Sequence, residues 1–179
     1  MTQSLEPDFT FKVPEGDDRP RRVCNHCNFV DYENPRVVTG SVAVAPDGRI
    51  LLCKRAIEPR KGYWTLPAGF QEKGESVEEG AMREAVEEAC ASLEIDRLLA
   101  VYDVPRIAQV QIMFRARLVS DIAPGPESQA VKLVEWADIP WSELAFPTVV
   151  WALTHYAATR DQASFAPFFN PTGTNRLTR

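Results

Sequence analysis

The chain has 179 residues, of which 45% are hydrophobic, so it is long enough to bury one good core and carry a small appendage. Its net charge of −5 argues against nucleic acid or an anionic membrane as the main partner, because both attract a basic surface. No apolar run approaches the ~18 residues of a membrane helix, no signal-peptide pattern opens the chain, and the four cysteines fit a reducing compartment, so we expect a cytoplasmic protein.

Composition divides the chain into three zones. Residues 1–36 are polar and rich in Pro, Asp and Arg, so we expect little core there. From Val37 the pattern changes to β-branched strands, and we expect the main domain to occupy residues 37–160. Residues 161–179 are expected to form a weakly structured C-terminal tail.

The main domain begins with a hairpin pattern, in which VVTGSVAVA and RILLCKR flank a turn at Asp47 and Gly48. A short strand is expected around Tyr63 to Leu66. Longer strand patterns follow in LLAVYDVP, QVQIMFRARLV and VKLVEWADI, and a helix-period apolar stretch runs from Thr148 to Thr159. Strands on both sides of a central helix, closed by a second helix, predict an α/β (α+β) fold with a mixed sheet between helices.

The central helix carries a stripe of carboxylates. A capping box at Ser76 predicts that this helix begins at Val77. Glu84 and Glu88 are one turn apart and project side by side, with Glu87 on the adjoining edge. Like charges at this spacing repel, so the stripe is costly unless a cation neutralises it. Mg²⁺ suits such a place, because it takes one or two carboxylates together with substrate phosphate oxygens.

An ordinary solvated helix is the alternative interpretation. Glu79 with Arg83, and Arg83 with Glu87, are i,i+4 pairs that would support a surface helix without any ligand. The preceding loop, LPAGF, favours a site instead, because it supplies Pro67 and Gly69 at a strand-to-helix connection. A glycine there lets a backbone carbonyl turn toward a ligand.

The stretch from Gly69 to Ala91, GFQEKGESVEEGAMREAVEEACA, resembles the Nudix box, GX5EX7REUXEEXGU, where U is a bulky aliphatic residue. Cys90 replaces the final glycine, and Ala85 and Ala91 are small for U. The flanking segments WTLPAGF, APGPES and WADIPWSELAF look like the subgroup of Nudix hydrolases described as FAD or ADP-ribose diphosphatases. The box positions that match are Gly69, Glu75, Arg83, Glu84, Glu87 and Glu88.

This resemblance implies a Nudix α/β/α sandwich with a mixed β-sheet, preceded by a ribbon-like segment. It implies a Mg²⁺-dependent hydrolase, with Mn²⁺ as an alternative ion, that cleaves the diphosphate of a nucleotide such as ADP-ribose or FAD. A MutT-type nucleoside triphosphate pyrophosphohydrolase would use the same box. A non-catalytic Nudix-like regulator would generally lose box glutamates and gain a basic DNA-binding domain, whereas this chain keeps the acids. The resemblance also implies a homodimer.

The resemblance further implies roles for individual residues. Glu84 and Glu88 would be ligands of the first ion, Glu87 a ligand of a second, and the Ala68 carbonyl would complete the site. Gly69 would permit the loop shape. Glu75 would bind Arg83 and orient the helix, although the family also allows it to contact metal.

The general base is left open by the resemblance, because some family members use a box glutamate, Glu87 or Glu88 here, and others use one in a later loop. Glu127 in APGPES is the loop candidate, since a Pro- and Gly-bearing loop can swing a carboxylate over the metal site; its alternative is a solvated loop acid. For the substrate we consider Arg55 as a phosphate ligand or a plain surface charge. The aromatic candidates that could stack a base or flavin ring are Trp64, Phe70 and Tyr102, although a tryptophan in the context YWTL is more often a core residue.

The N-terminal segment departs from the subgroup. Cys24 and Cys27 form one CxxC knuckle, but zinc takes four ligands and the upstream stretch MTQSLEPDF holds no cysteine or histidine. We therefore expect a ribbon-like remnant without zinc; a zinc shared across a dimer is the alternative.

Cys90 departs from the box at a position where glycine would let the helix end with a positive φ. Cysteine in that conformation costs on the order of 1 kcal/mol. The alternative is that the helix runs on through Ala91.

Overall fold

A computed structural model of the chain describes residues 8–174. The described residues fall into two compact units, divided between Asn34 and Pro35. No helix among them is long and apolar enough to span a membrane.

The first unit is a small antiparallel sheet of three strands, β1 (Phe9–Lys12), β2 (Arg21–Cys24) and β3 (Val30–Asp31), in that order. The CxxC segment forms the turn between β2 and β3. The Cys24 N–H donates to the Phe29 carbonyl at 2.8 Å, and the Asn28 N–H donates back to the Cys24 carbonyl at 2.9 Å. Asn28 tolerates the left-handed φ of 59° that this turn needs. Main-chain hydrogen bonds therefore close the knuckle.

The second unit is built on a seven-stranded mixed sheet. Its main path runs β10-β5-β4-β9-β8, with β6 paired to β5 and β7 paired to β4. Strands β4 and β9 are parallel, and the other pairs are antiparallel. The strands are β4 (Arg36–Val44), β5 (Ile50–Arg55), β6 (Trp64–Thr65), β7 (Ala68–Phe70), β8 (Leu93–Val104), β9 (Gln109–Leu118) and β10 (Ser128–Val134).

A helix covers each face of this sheet. Helix α1 (Val77–Ala89) packs its alanines into one apolar cluster, and α2 (Pro147–Thr159) packs into another. Successive residues of β5 alternate between the two clusters, because side chains along a strand point to opposite faces. Ile50 and Leu52 lie in the α2 cluster, and Leu51 and Cys53 in the α1 cluster. The predicted α/β/α sandwich with a mixed sheet is confirmed.

Strand β8 begins at Leu93, five residues before the expected start at Leu98. Residues 93–97 are not predicted as strand, because charged residues, which are poor strand formers, alternate there with apolar ones. Those charges are paired across to β9, Glu94 with Arg117 and Asp96 with Arg115. Cross-strand ion pairs therefore support a segment that its composition disfavours.

The tail is better ordered than predicted, as far as residue 174. Phe168 pairs with β8 through main-chain hydrogen bonds, accepting from Val101 and donating to Leu99, both at 2.9 Å. Its ring stacks on His155 with centroids 4.2 Å apart. Because β8 is the edge of the main sheet path, this segment satisfies part of an otherwise open edge.

Candidate active site

Helix α1 begins at its predicted cap and ends at Cys90. The Ser76 hydroxyl accepts a hydrogen bond from the Glu79 N–H at 3.2 Å, and the Glu79 carboxylate accepts one from the Ser76 N–H at 2.7 Å. This reciprocal pair is the predicted capping box, and the helix begins at Val77. At the other end Cys90 has φ 49° and ψ 28°, so the helix stops there and does not run on through Ala91.

A cleft of about 500 Å³ opens beside α1. Its walls come from β4, β6, β7, β9, both helices and the loops after β5 and β9, which lie far apart in the chain. Most residues that the sequence singled out line it. They are Arg55, Ala68, Gly69, Phe70, Arg83, Glu84, Glu87, Glu88 and Glu127.

Arg83 is the centre of the hydrogen-bond network in this cleft. Its Nε and Nη2 donate to the two carboxylate oxygens of Glu75, at 3.0 and 2.9 Å. Its Nη1 donates to Glu84 and to Glu87, both at 2.8 Å, and Nη2 also reaches the Phe70 carbonyl at 2.9 Å. The contact predicted between Glu75 and Arg83 is therefore present, and the same guanidinium bridges two more box acids.

The bidentate pair makes Glu75 a strongly ionised acid. Hydrogen bonds from Arg83, together with one from the Glu72 N–H at 2.7 Å, lower the pKa of Glu75 to about 2. Carboxylates that accept several hydrogen bonds in their charged form behave this way. The same contacts raise the pKa of Arg83 above its usual value. Glu75 is thus held by the protein itself and needs no further cation.

Glu88 lies in the opposite environment. Its side chain is only 5% exposed, and its one described hydrogen bond is from the Ala68 N–H at 3.3 Å. Burial, and next the charge of Glu84, raise the pKa of Glu88 to about 8. Burial also raises the pKa of Glu84, even though Arg83 opposes the shift. Glu88 is therefore the acid whose negative charge the protein compensates least, whereas Glu84 is buried but paired with Arg83.

Gly69 is required for space. It lies in β7 opposite Thr39, outside the left-handed region of φ, so conformational freedom does not explain it. A Cβ at this position would lie 2.3 Å from the carboxylate oxygens of Glu84. The expectation that the glycine serves the shape of the loop is therefore corrected: its missing side chain makes room for the Glu84 carboxylate.

Glu127 lies at the mouth of the cleft, close enough to Glu84 and Glu88 for its charge to raise the pKa of both. Its carbonyl accepts a hydrogen bond from the Ala56 N–H at 2.8 Å. The loop that carries it is therefore attached to the loop after β5, whereas the sequence suggested a freely swinging segment.

Arg55 and Phe70 line the cleft, and each side chain also contacts other protein groups. Arg55 donates from Nε to the Pro59 carbonyl at 2.8 Å, and its guanidinium lies 5.3 Å from the Phe146 ring. Its charge lowers the pKa of Glu88, against the larger effect of burial. Phe70 is 43% exposed, and the Arg36 guanidinium lies 4.6 Å from its ring.

Trp64 and Tyr102 do not line the cleft. Both are buried in the α2 cluster, Tyr102 with no exposed surface, and its hydroxyl is 2.7 Å from Nδ1 of His155. Trp64 is covered by Lys132, whose Nζ lies 4.2 Å from the ring centroid. A ring enclosed by protein cannot stack on a substrate, so the interpretation of these two residues as substrate-binding is corrected.

Sequence reasoning missed the far wall of the cleft. Strand β9 contributes Gln109, Gln111 and Met113, which are two residues apart and so share one face of the strand. The amide of Gln111 donates to that of Gln109 at 3.3 Å. The two-residue period was visible in the sequence, but only the parallel pairing of β4 with β9 shows that this face looks onto the box.

The acids of the cleft fit a hard divalent cation. Two buried carboxylates with raised pKa values and few donors are the oxygen ligands that Mg²⁺ takes, and the cleft beside them has room for phosphate oxygens. In the present arrangement Arg83 bridges Glu84 and Glu87. Across residues 8–174 no three His, Cys, Asp or Glu side chains are already gathered in a geometry that could hold a metal.

The fold is an α/β/α sandwich, and its cleft is lined by several carboxylates of helix α1 beside the short strand that contains Gly69. Fold and site together define the class of protein. The NUDIX domain family model matches residues 34–154, which is more than half of the chain, and the Nudix N-terminal zinc-ribbon model matches residues 7–33. The chain belongs to the Nudix hydrolase family and is therefore an enzyme of that family.

Several relatives are similar over much of their length. A NUDIX hydrolase from Nitrosomonas europaea has 41% identity and a TM-score of 0.85, covering 94% of this chain and 96% of that one. An ADP-ribose pyrophosphatase from Methanocaldococcus jannaschii is 32% identical over 64% of this chain and 69% of the relative. A MutT NUDIX hydrolase from Burkholderia pseudomallei has 28% identity and a TM-score of 0.57, covering 69% of this chain and 98% of that one.

The N-terminal unit does not supply a full zinc site in its described part. Cys24 and Cys27 are both free thiols, and zinc needs two more ligands. The main-chain hydrogen bonds of the knuckle contribute to holding the turn. Residues 1–7 of the upstream stretch lie outside the described residues. The absence of zinc remains a prediction, which metal analysis of the purified protein would test.

Proposed function

We propose that this enzyme hydrolyses the diphosphate bond of a nucleoside diphosphate linked to another moiety, of the ADP-ribose or FAD type, with Mg²⁺ as the preferred ion and Mn²⁺ as an alternative. The observation that carries the proposal is the pair of buried acids with raised pKa values, Glu84 and Glu88, facing a cleft of nucleotide-binding size. Two buried carboxylates this close repel each other when ionised, so a cation would stabilise the pair. A cation bound beside an open cleft would attract phosphate groups.

The box residues would divide the work between them. Glu84 and Glu88 would hold the first ion with the Ala68 carbonyl, and Glu87, the more exposed acid, would serve a second ion. When bound, the ions supply positive charge for the diphosphate oxygens and lower the pKa of the attacking water. Glu75 and Arg83 have a supporting role, because their bidentate pair fixes the helix relative to β7.

Hydrolysis would yield two monophosphates. Water attacks one phosphorus, the bond to the bridging oxygen breaks, and a proton leaves the attacking water. ADP-ribose would give AMP and ribose 5-phosphate, and FAD would give AMP and FMN. Arg55 is placed to neutralise a phosphate at the cleft, since its Nη atoms are not used in the bond to Pro59. Phe70 offers an exposed ring for stacking.

Glu127 would act as the general base that takes this proton. Its position at the cleft mouth, within electrostatic reach of Glu84 and Glu88, supports the assignment. Glu127→Gln removes the base and keeps the shape, so we expect kcat to fall by about 10²–10⁴ while KM changes little. Steady-state kinetics on the preferred substrate measure this. An unchanged kcat would move the base to another residue, such as Glu87 or Glu88.

A MutT-type nucleoside triphosphate pyrophosphohydrolase is the second candidate. It is favoured by the 28% identity to a MutT NUDIX hydrolase, of which the chain covers nearly the full length. Both candidate activities would use the same box. They would differ in the part of the substrate that contacts the β9 wall of the cleft.

A substrate panel separates these candidates. Purified protein is incubated with ADP-ribose, FAD, NADH and dGTP, each with Mg²⁺ and with Mn²⁺, and products are identified by chromatography. We expect ADP-ribose or FAD to be hydrolysed fastest, and the Glu88→Gln variant to serve as the inactive control. Faster hydrolysis of dGTP would favour the MutT-type activity. No hydrolysis of any substrate would favour a metabolite-binding regulator. The homodimer stays a prediction.

A further inference from the structure

The loop between β9 and β10 is docked on the C-terminal end of α1. The last carbonyls of a helix have no partners inside the helix and must be satisfied elsewhere. Here the Ala123 N–H donates to the Ala89 carbonyl at 2.9 Å, and the Gly125 N–H donates to the Glu88 carbonyl at 3.1 Å. The loop therefore contacts the main chain of the same helical turn whose side chains face the cleft.

Gly125 makes the closest of these contacts. A Cβ at this position would lie 1.7 Å from the carbonyl oxygen of Glu87 and 2.7 Å from its carbon. The obstructing atoms belong to a helix backbone, which cannot move aside as the end of a flexible side chain can. Gly125 has no left-handed φ, so space rather than conformation demands a glycine. Any other residue would push the loop off the helix.

Only Pro126 lies between Gly125 and Glu127, and hydrogen bonds fix this short interval. The Ser128 N–H donates to the Gly125 carbonyl at 3.0 Å, which closes a turn, and the Glu127 carbonyl accepts from the Ala56 N–H at 2.8 Å. The backbone of Glu127 is thus held on both sides. Its carboxylate is placed relative to Glu87 and Glu88 through their own main chain.

We propose that Gly125 is a positioning residue for catalysis. By letting the loop rest on the carbonyls of Glu87 and Glu88, it sets the distance between the Glu127 carboxylate and the acids of the box. This proposal rests on the proposed function, in which Glu127 is the general base. It assigns the glycine of APGPES to a fixed contact, whereas the sequence suggested flexibility.

A double-mutant cycle tests the proposal, with kcat and KM measured on the preferred substrate and Mg²⁺. Gly125→Ala lifts the loop, and a displacement of about 1 Å can cost on the order of 100-fold, so we expect kcat to fall at least tenfold while KM stays within about twofold. In the Glu127→Gln background the same change should cost almost nothing further, because the group it positions is already gone. Pro126→Ala, at an exposed neighbouring position, is the matched control and should keep wild-type kcat.

Glu127→Asp gives a second test that does not depend on the folding of Gly125→Ala. It retracts the carboxylate by about 1.5 Å, the length of one carbon–carbon bond. A loop fixed by Gly125 cannot follow, so kcat should fall at least tenfold; a mobile loop would compensate and preserve it. If Gly125→Ala does not fold, the kcat of Glu127→Asp still tests whether the position of the loop is fixed.

Three outcomes would overturn the positioning role. Wild-type kcat in Gly125→Ala or in Glu127→Asp would show that the loop position is not critical. An equal loss from Gly125→Ala in both backgrounds would show a general structural defect. If Glu127→Gln keeps full kcat while wild type hydrolyses the substrate, Glu127 is not the general base. Gly125 then has no catalytic group to position. Failure of the whole proposed function is distinct, because wild type would then hydrolyse nothing in the panel.

Discussion

Glu75 and Glu88 are two acids of one sequence motif with opposite environments. Glu75 accepts three hydrogen bonds, two of them from Arg83, and its pKa is lowered to about 2. Glu88 is buried with one long hydrogen bond from a main-chain N–H, and its pKa is raised to about 8. The first carboxylate is satisfied by the protein, and the second is left for something the protein does not contain. We therefore expect environment, rather than residue type, to separate a supporting acid from a metal ligand in this motif.

The largest difference between Glu75 and Glu88 should appear when each carboxylate is replaced in turn by a neutral amide. Loss of an outer partner of a metal ligand typically costs 10–100-fold, so loss of a ligand itself should cost at least about 100-fold. We therefore expect Glu88→Gln to lower kcat by at least that factor, and Glu75→Gln by less than about tenfold. Mg²⁺-dependent hydrolysis rates measure both. Equal losses would mean that Glu75 also contacts metal, which the resemblance leaves open.

The stability of the metal-free protein should depend on pH in opposite directions at the two acids. The folded pKa of Glu88 lies above its ordinary value near 4.5, so the folded state binds the extra proton between these values and stability falls as pH rises from about 5 to 8. The slope should approach about 1.4 kcal/mol per pH unit in the middle of this range, the value for one proton. The stabilisation from Glu75 is complete above its ordinary value and is lost as pH falls toward 2.

Urea unfolding in EDTA at pH 5.5, 6.5 and 7.5 measures this dependence. Glu88→Gln is the matched control, because its amide does not titrate; its free energy of unfolding should be flatter over the range. Excess Mg²⁺ should oppose the loss in wild type, since the ion binds the ionised form. A Glu88→Gln variant with the wild-type slope would assign the titration to another group.

The smallest expected effect concerns the end of the same helix. Cys90 is held at φ 49°, where a Cβ is unfavourable, and glycine removes that cost. We expect Cys90→Gly to raise the free energy of unfolding by about 1 kcal/mol, with kcat unchanged because the residue lies beyond the acids. Cys90→Ala keeps the Cβ and should gain nothing, which urea midpoints would show. Equal stability of the two variants would contradict this account of Cys90.

The box, its helix start and the sandwich could be predicted because each depends on residues close together in sequence. The capping box at Ser76 specifies its own hydrogen bonds, and the hairpin at Asp47 and Gly48 has a turn signal. Burial is different, since it depends on elements brought together from a distance. The sequence around Tyr102 gave no sign that α2 would cover it, and the sequence around Trp64 favoured a core position without showing that Lys132 would cover the ring.

The two glycines of the site show the same limit. Local rules explain a glycine by its backbone freedom, and from sequence alone that explanation applies to Gly69 and to the loop of Gly125. In the structure both are needed because another atom occupies the place of a Cβ: the Glu84 carboxylate in one case and the Glu87 carbonyl in the other. Close approach of this kind is a property of tertiary packing, and no pattern in the neighbouring residues reports it.

The parallel pairing of β4 with β9 also determines when the site can form during folding. Helix α1 can form from local contacts, but the cleft needs the β9 wall, which joins β4 only after the intervening chain has closed a long loop. Closing such loops is slow, because their entropy is lost before the contacts are gained. We therefore expect the acids to lie on their helix before the cleft beside them is complete.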